Sequence, residues 1–340
     1  MLTAVKIIAL AVILAFACLG LGILWLLRKV RSFVKASAEA PGCPPCRVNP
    51  QPDPNPQWRS AAKIARYTEE FRALGFREVG AFSIPEMAGL QMLVFYHAGQ
   101  GFYGIVYDHK MIEPTFEIGC DFGNGSGLCA TSSSAGDTLD ARPNNPILWL
   151  GTNSVKEVLD AARKHPQPAP RRPVSPAEFL SHFKKKYAEG MSWRLRKGGV
   201  SRDEIRRQAE KKGMQLDSGQ LEESYRRLRA SYLRETQSGC VAQYVDDRKP
   251  STADWERIRK SVFAIPETME LKEVLQSIEE ATGLDEDQRH QLSKVESAFG
   301  ESALDIVDRI LRQNVGALGL QRIGEVNEPV RACLLAAPSA

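Results

Sequence analysis

REVGAFSI at 77–84, LQMLVFYH at 90–97, FYGIVYD at 102–108, TFEIGCD at 115–121 and GLCATS at 127–132 decide the fold. Each run is rich in aromatic and β-branched residues, and breaks bearing glycine or proline separate them, which is the pattern of an antiparallel meander. A parallel βαβ series needs helical crossovers, and these gaps are far too short to hold them. The fold class expected is therefore α+β.

Helical patterns flank the strands. Residues 58–75 place Ile64, Tyr67, Phe71 and Leu74 on one face before Gly75, and 153–165 do the same with Val155, Val158, Leu159 and Ala162. Ser154 with Glu157, and later Ser201 with Glu204, have the spacing of helix-capping pairs. PQPAPRRP at 166–173 marks a boundary, after which 176–188 opens a helical region with Pro176 at its first turn. A basic helical hairpin then spans 201–212 and 217–237, and amphipathic patterns recur near 267–281, 285–299 and 301–315. The closing NEPVRACLLAAPSA is expected to be a loosely ordered tail.

Toward the amino terminus, residues 7–27 (IIALAVILAFACLGLGILWLL) carry no charge. As a helix they extend ~31 Å, enough to cross a bilayer core of ~30 Å. Ala15-Phe16-Ala17 has the form of a cleavage site and Cys18 that of a lipoprotein cysteine, but the apolar run continues past both, to Trp25 and Leu27. A signal's apolar region covers only ~7 to 15 residues, so an uncleaved anchor is the reading. Lys6 precedes the span, whereas Arg28, Lys29, Arg31 and Lys35 follow it, which directs the rest of the chain to the cytoplasmic face. A periplasmic or extracellular placement is the alternative. Seven prolines between 41 and 56 then make an extended spacer through which neither helix nor sheet is expected to run.

The organisation expected is thus a transmembrane anchor with a basic juxtamembrane stretch (1–35), a proline-rich linker (36–57), an α+β module (58–165), a basic helical region (166–250), an acidic helical region (251–325) and a flexible tail (326–340). The 340 residues carry a net charge of only +4, too small to imply a nucleic-acid partner. That balance conceals opposed halves: 184–234 hold 15 Lys and Arg against 7 Asp and Glu, while 251–340 hold 10 against 16. Seven cysteines in this length are too sparse for a disulfide-dominated scaffold.

Two thiol pairs are the candidate sites. Cys43 and Cys46 have the spacing of a redox pair or half a zinc site, but they lie in a proline-rich stretch without the strand and helix start that lower a thiol pKa. Cys120 and Cys129 flank DFGNGSGL. A two-residue turn at Asn124-Gly125 would set them directly opposite each other, with Cα atoms ~4.5 Å apart, at the short end of disulfide geometry. In a reducing compartment they are expected to remain thiols packed on a strand face. The glycines of that loop precede a strand rather than a helix, so a hairpin turn is expected there instead of a phosphate cradle.

His97 and the Asp108-His109 pair end successive strands and would meet Glu113 if they shared an edge, although loop polarity explains them equally. Asp285 and Glu296 have calcium-loop spacing, but Arg289 and His290 occupy positions that such a loop cannot yield. On the basic hairpin, Arg206, Arg207, Lys211 and Lys212 join the juxtamembrane cations as candidate contacts to anionic lipid headgroups. The expected function is a single-pass, membrane-anchored, non-catalytic binding or scaffolding protein, partnered by the bilayer through 7–27 and by anionic headgroups or another protein. The alternative is a thiol-based redox or metal-binding enzyme. No cofactor motif is complete, and neither a cofactor nor a metal ion is expected.

Overall fold

The computed structural model describes residues 43–110, 112–283, 285–295, 300–312 and 318–337. The chain divides into two units, 1–44 and 45–340. The expected anchor at 7–27, with Arg28, Lys29, Arg31 and Lys35, lies outside the described residues, as does Glu296. Among the described residues no helix is long and apolar enough to cross a membrane. The fold is mixed α+β, built on a sheet of mostly antiparallel strands with several helices.

The short strand β1 (Gln51–Pro52) precedes helix α1 (Ala61–Ala73). The meander follows as β2 (Arg77–Ser83), β3 (Leu90–His97), β4 (Phe102–His109), β5 (Ile112–Phe122) and β6 (Gly127–Thr131), each antiparallel to the one before. A parallel strand, β7 (Ile147–Trp149), closes the β6 edge, and β8 (Arg171–Arg172) pairs with the end of β5. Between β7 and β8 lies α2 (Val155–Lys164), whose Ser154 cap accepts a hydrogen bond from the Glu157 N–H.

Alternation along the strands sends side chains to two faces, and helices cover both. On one, Phe95, Phe102, Phe116, Ile118, Cys120 and Ala130 pack against Ile64, Tyr67 and Phe71 of α1 and Val158 and Leu159 of α2. The Phe71 and Phe95 rings stack with centroids 4.6 Å apart. On the other, Phe82, Met92, Val94 and Ile105 pack against Phe179 and Phe183 of α3 (Phe179–Arg196). Gly104 admits the Phe71 ring, because a Cβ there would lie 2.4 Å from Phe71 Cε1.

The proline-rich stretch departs from expectation at its end. Sheet does run through it, since Gln51 pairs with Ser83 and Pro52 with Phe82. Cys46, Val48 and Pro50 alternate inward, and an edge strand tolerates a proline whose missing N–H would face away from the ladder.

Helices α4 (Arg202–Lys211) and α5 (Ser218–Arg248) form the basic hairpin, and Ser201 and Glu204 make the expected reciprocal cap. Helix α5 runs eleven residues past the expected end, because its later turns cover a second sheet. That sheet has the order β10-β11-β9, from β9 (Val262–Pro266), β10 (Gln321–Val326) and β11 (Ala332–Ala336). Helix α6 (Thr252–Ile258) precedes β9 in the chain, and α7 (Leu271–Thr282), α8 (Glu286–Ser293) and α9 (Ala303–Arg312) lie between β9 and β10.

The expected flexible tail is corrected by β11, the central strand of this sheet. Cys333 and Leu335 pack toward α7 and α9, while Ala332 and Leu334 pack with Cys240 and Val241 of α5. A strand covered on both faces reads as an unbroken apolar run without alternation, which hides it at a chain end. Arg229 of α5 joins Glu273 of α7 through a buried pair at 2.5 Å, and donates to the Thr268 carbonyl at 2.7 Å.

Substituting Gly104→Ala should destabilise the chain by about 1 to 3 kcal/mol, since the added methyl meets a ring already locked by stacking. Urea unfolding of the two proteins checks this; equal midpoints would show that the Phe71 ring can move aside.

Candidate functional site

The hairpin between β5 and β6 sets the geometry of the second thiol pair. The Phe122 carbonyl accepts from the Gly125 N–H at 3.0 Å, and the Ser126 carbonyl accepts from the Phe122 N–H at 2.9 Å. Gly125 takes φ +83°. This is a three-residue loop ending in a left-handed glycine rather than a two-residue turn. The register therefore slips by one, pairing Gly119 with Cys129 and Cys120 with Leu128. A slip of one residue reverses the face, so Cys120 points to the α1 and α2 side while Cys129 points the other way. The two cannot form a disulfide without backbone movement.

The thiols are also poorly disposed to react. Burial pushes Cys120 up to about 11, opposed by Arg171 and aided by Asp121. Cys129 is raised well above its ordinary value by burial and by the Glu117 carboxyl, to which its S–H donates at 3.5 Å. Burial likewise pushes Cys240 to about 12 and Cys333 to about 11. A thiol held protonated is a weak nucleophile and a weak metal ligand. The Cys43 S–H donates to the Pro44 carbonyl at 3.2 Å. Cys46 is buried, its N–H donating to Glu235 Oε1 at 2.8 Å.

The histidine edge does not assemble. Antiparallel pairing sets His97 opposite Phe102 and His109 opposite Leu90, so the two lie at opposite ends of the β3–β4 hairpin. His97 packs edge-on against Phe76, and burial lowers its pKa. Glu113 pairs with Lys63 and Arg59. Asp108 accepts from the Arg59 N–H at 2.6 Å and the Ser60 N–H at 3.3 Å, holding the entry to α1. Asp285 and Gln288 cap α8 reciprocally. Among the described residues no group of three or more His, Cys, Asp or Glu side chains is placed to hold a metal ion.

Instead, the sheet face under α3 gathers a polar cluster. Tyr107 donates to Glu117 Oε1 at 2.7 Å. Part of the Glu117 side chain reaches solvent, yet its carboxyl lies deep enough for burial to dominate and raise its pKa, with the Tyr107 and Cys129 hydrogen bonds opposing. Two pleat periods along β5, on the same face, Asp121 behaves oppositely. Burial would raise it, but His182 Nε2 at 2.7 Å and Lys186 Nζ at 2.9 Å outweigh that and hold it below the ordinary carboxylate value. His182 and Lys186 are one helical turn apart on α3, so this triad fastens the helix to the sheet. Among the described residues no hydroxyl or thiol is hydrogen-bonded to the His182 ring. The i, i+4 spacing of His182 and Lys186 was legible; their partner was not.

The hairpin cations lie against carboxylates of their own chain. Arg207 pairs with Asp140 at 2.6 Å, Lys211 with Asp137 at 2.7 Å and Arg206 with Asp203 at 2.7 Å, while Lys212 is exposed. Behind them Glu204 is fully buried. Burial would raise its pKa, but the Ser201 N–H, Arg194 at 2.5 Å and Lys197 hold it down.

The outer stripe of α3 presents a cleft of about 400 Å³, lined chiefly by Arg47, Arg142, Lys185, Glu189, Ser192, Trp193 and Arg196, with Glu328 at its rim. Sequence reading missed it because Arg47, Arg142 and Glu328 come from three distant segments. No family profile, curated protein or solved structure matches the chain.

Two measurements follow. Because the Glu117 pKa is raised on folding, its contribution to stability is complete below the ordinary value of 4.5 and is lost as pH rises through the folded value. Glu117→Gln should therefore gain stability relative to the parent as pH rises from acid to neutral, by about 1.4 kcal/mol per unit of difference between folded and unfolded pKa. A difference in urea midpoint that stays constant with pH would contradict it. Iodoacetamide at neutral pH should leave Cys120, Cys129, Cys240 and Cys333 unmodified until denaturant is added, as peptide mass mapping would show. Rapid labelling of Cys120 or Cys129 in the native chain would revive the thiol enzyme.

Proposed function

We propose that this chain is a single-pass, membrane-anchored binding protein, held by residues 7–27 with its folded part on the cytoplasmic side, and that it holds a partner rather than transforms a substrate. The anchor and its side are supported by the uncharged run and by the cations at 28, 29, 31 and 35. One observation carries the binding role. Among the described residues, buried charged groups clamp one element to another: Asp121 to α3, Glu204 to Arg194 and Arg229 to Glu273, while Asp108 holds the entry to α1. Lys185 and Arg196, joined to no carboxylate among the described residues, line a surface cleft. Groups used in this way position a surface and do not move protons.

In alkaline carbonate the full chain should stay with the membrane pellet, while a variant lacking 7–27 should be released. A reporter fused at the carboxy terminus should be active only in the cytoplasm. Chemical cross-linking in intact membranes should add a species of fixed mass absent from the purified chain. Carbonate release of the intact chain overturns the anchor, outward reporter activity overturns the side, and cross-links identical to those of the purified chain overturn the partner.

A further inference from the structure

The cleft on α3 has a composition that specifies its ligand more narrowly. Lys185, Ala188, Glu189, Ser192, Trp193 and Arg196 follow the 3, 1, 3, 1, 3 rhythm of one helical face, so they form a continuous stripe once α3 lies on the sheet. Across from the stripe stand Arg47 and Arg142. Four cations face two carboxylates, and both carboxylates are answered within the cleft. Glu189 accepts from Arg142 at 2.9 Å, and Glu328 lies 3.8 Å from Arg47. Among the described residues neither Lys185 nor Arg196 is joined to a carboxylate, which leaves a surplus of two positive charges. They stand three turns apart, about 16 Å along the axis, at either end of the stripe.

Midway sits Ser192, only 5% exposed. Its hydroxyl accepts from Arg47 Nη2 at 3.3 Å and, among the described residues, donates no hydrogen bond. A buried hydroxyl with its proton unassigned is a donor held ready for an oxyanion. The Trp193 ring, with the Arg194 guanidinium 4.9 Å from its centroid, supplies a rigid wall.

We propose that this cleft binds a phosphate group bearing more than one negative charge, held by Lys185 and Arg196 at its ends and by the Ser192 hydroxyl at its centre. The volume, about 400 Å³, lies in the small-ligand range and suits a compact anion rather than a peptide. Guanidinium forks from Arg47 and Arg196 match phosphate oxygens in geometry. The Glu328 contact to Arg47 is long and exposed, and an incoming oxyanion can replace it. The same chemistry is offered by a free phosphate and by a phospholipid headgroup. The site rests on the binding role proposed above but not on the membrane anchor.

Titration calorimetry on the full chain in neutral detergent, with tripolyphosphate and separately with short-chain phosphatidic acid, tests this. The Lys185→Ala/Arg196→Ala variant should bind about tenfold more weakly or worse, Lys185→Arg/Arg196→Lys should restore binding, and added salt should weaken the parent. Loss confined to tripolyphosphate identifies a soluble phosphate, and loss confined to phosphatidic acid identifies a headgroup; either supports the site. Equal affinities of parent and alanine variant, or no binding of either probe by the parent, overturns it. A chain that binds neither probe yet keeps its cross-linked partner loses this site alone. A melting curve of the alanine variant matching the parent excludes misfolding as the cause of any loss.

Discussion

Burial of both faces of the β2–β6 meander is the constraint on which the rest depends. An antiparallel sheet can leave one face in water, but here α1 and α2 cover one side and α3 the other. The residues in the middle of the strands must then suit a protein environment, the polar ones included. Glu117 and Asp121 share a strand and a face, yet one carboxyl is shifted toward its neutral form and the other toward its charged form. The difference lies in their partners. Asp121 meets a histidine and a lysine from α3, whereas Glu117 meets a tyrosine and a thiol, which hydrogen-bond to it without offsetting the loss of water.

The same logic separates charge that organises the fold from charge left for a ligand. The basic hairpin looks like an exposed cationic surface in composition, but Asp137 and Asp140 of the loop between β6 and β7 lie against it. Arg229 reaches the acidic carboxy-terminal region at Glu273, tying α5 to α7. The exposed pairs to Asp137 and Asp140 add little stability, but they do reduce the local field. Lys185 and Arg196 lie instead on α3, whose inner face is committed to the sheet and whose outer face lines the cleft. One helix thus both closes the hydrophobic layer and carries the candidate site.

Much of the first module was legible in the residues. Strand boundaries followed from branched and aromatic runs between glycines, and antiparallel order followed from gap length. The caps at Ser154 and Ser201 were legible because a cap is a contact between residues three apart. The hairpin register was not, since Asn124-Gly125 suits a two-residue turn and equally the end of a three-residue loop. That single residue moved Cys120 and Cys129 to opposite faces. The small second sheet escaped notice because β11 is apolar throughout and its partners lie, among the described residues, on either side of three intervening helices.

By itself, then, the sequence determined the fold class, the helix caps, the opposed charge of its halves and the uncharged run at 7–27, all of which depend on neighbours along the chain. Only the tertiary structure decided which carboxylates are charged, which thiols share a face, that the carboxy-terminal strand is a core element and that Arg47, Arg142, Lys185 and Arg196 share one cleft. Those outcomes depend on contacts between residues tens to hundreds of positions apart. Spacing along the chain carries no record of such contacts until the layers have packed.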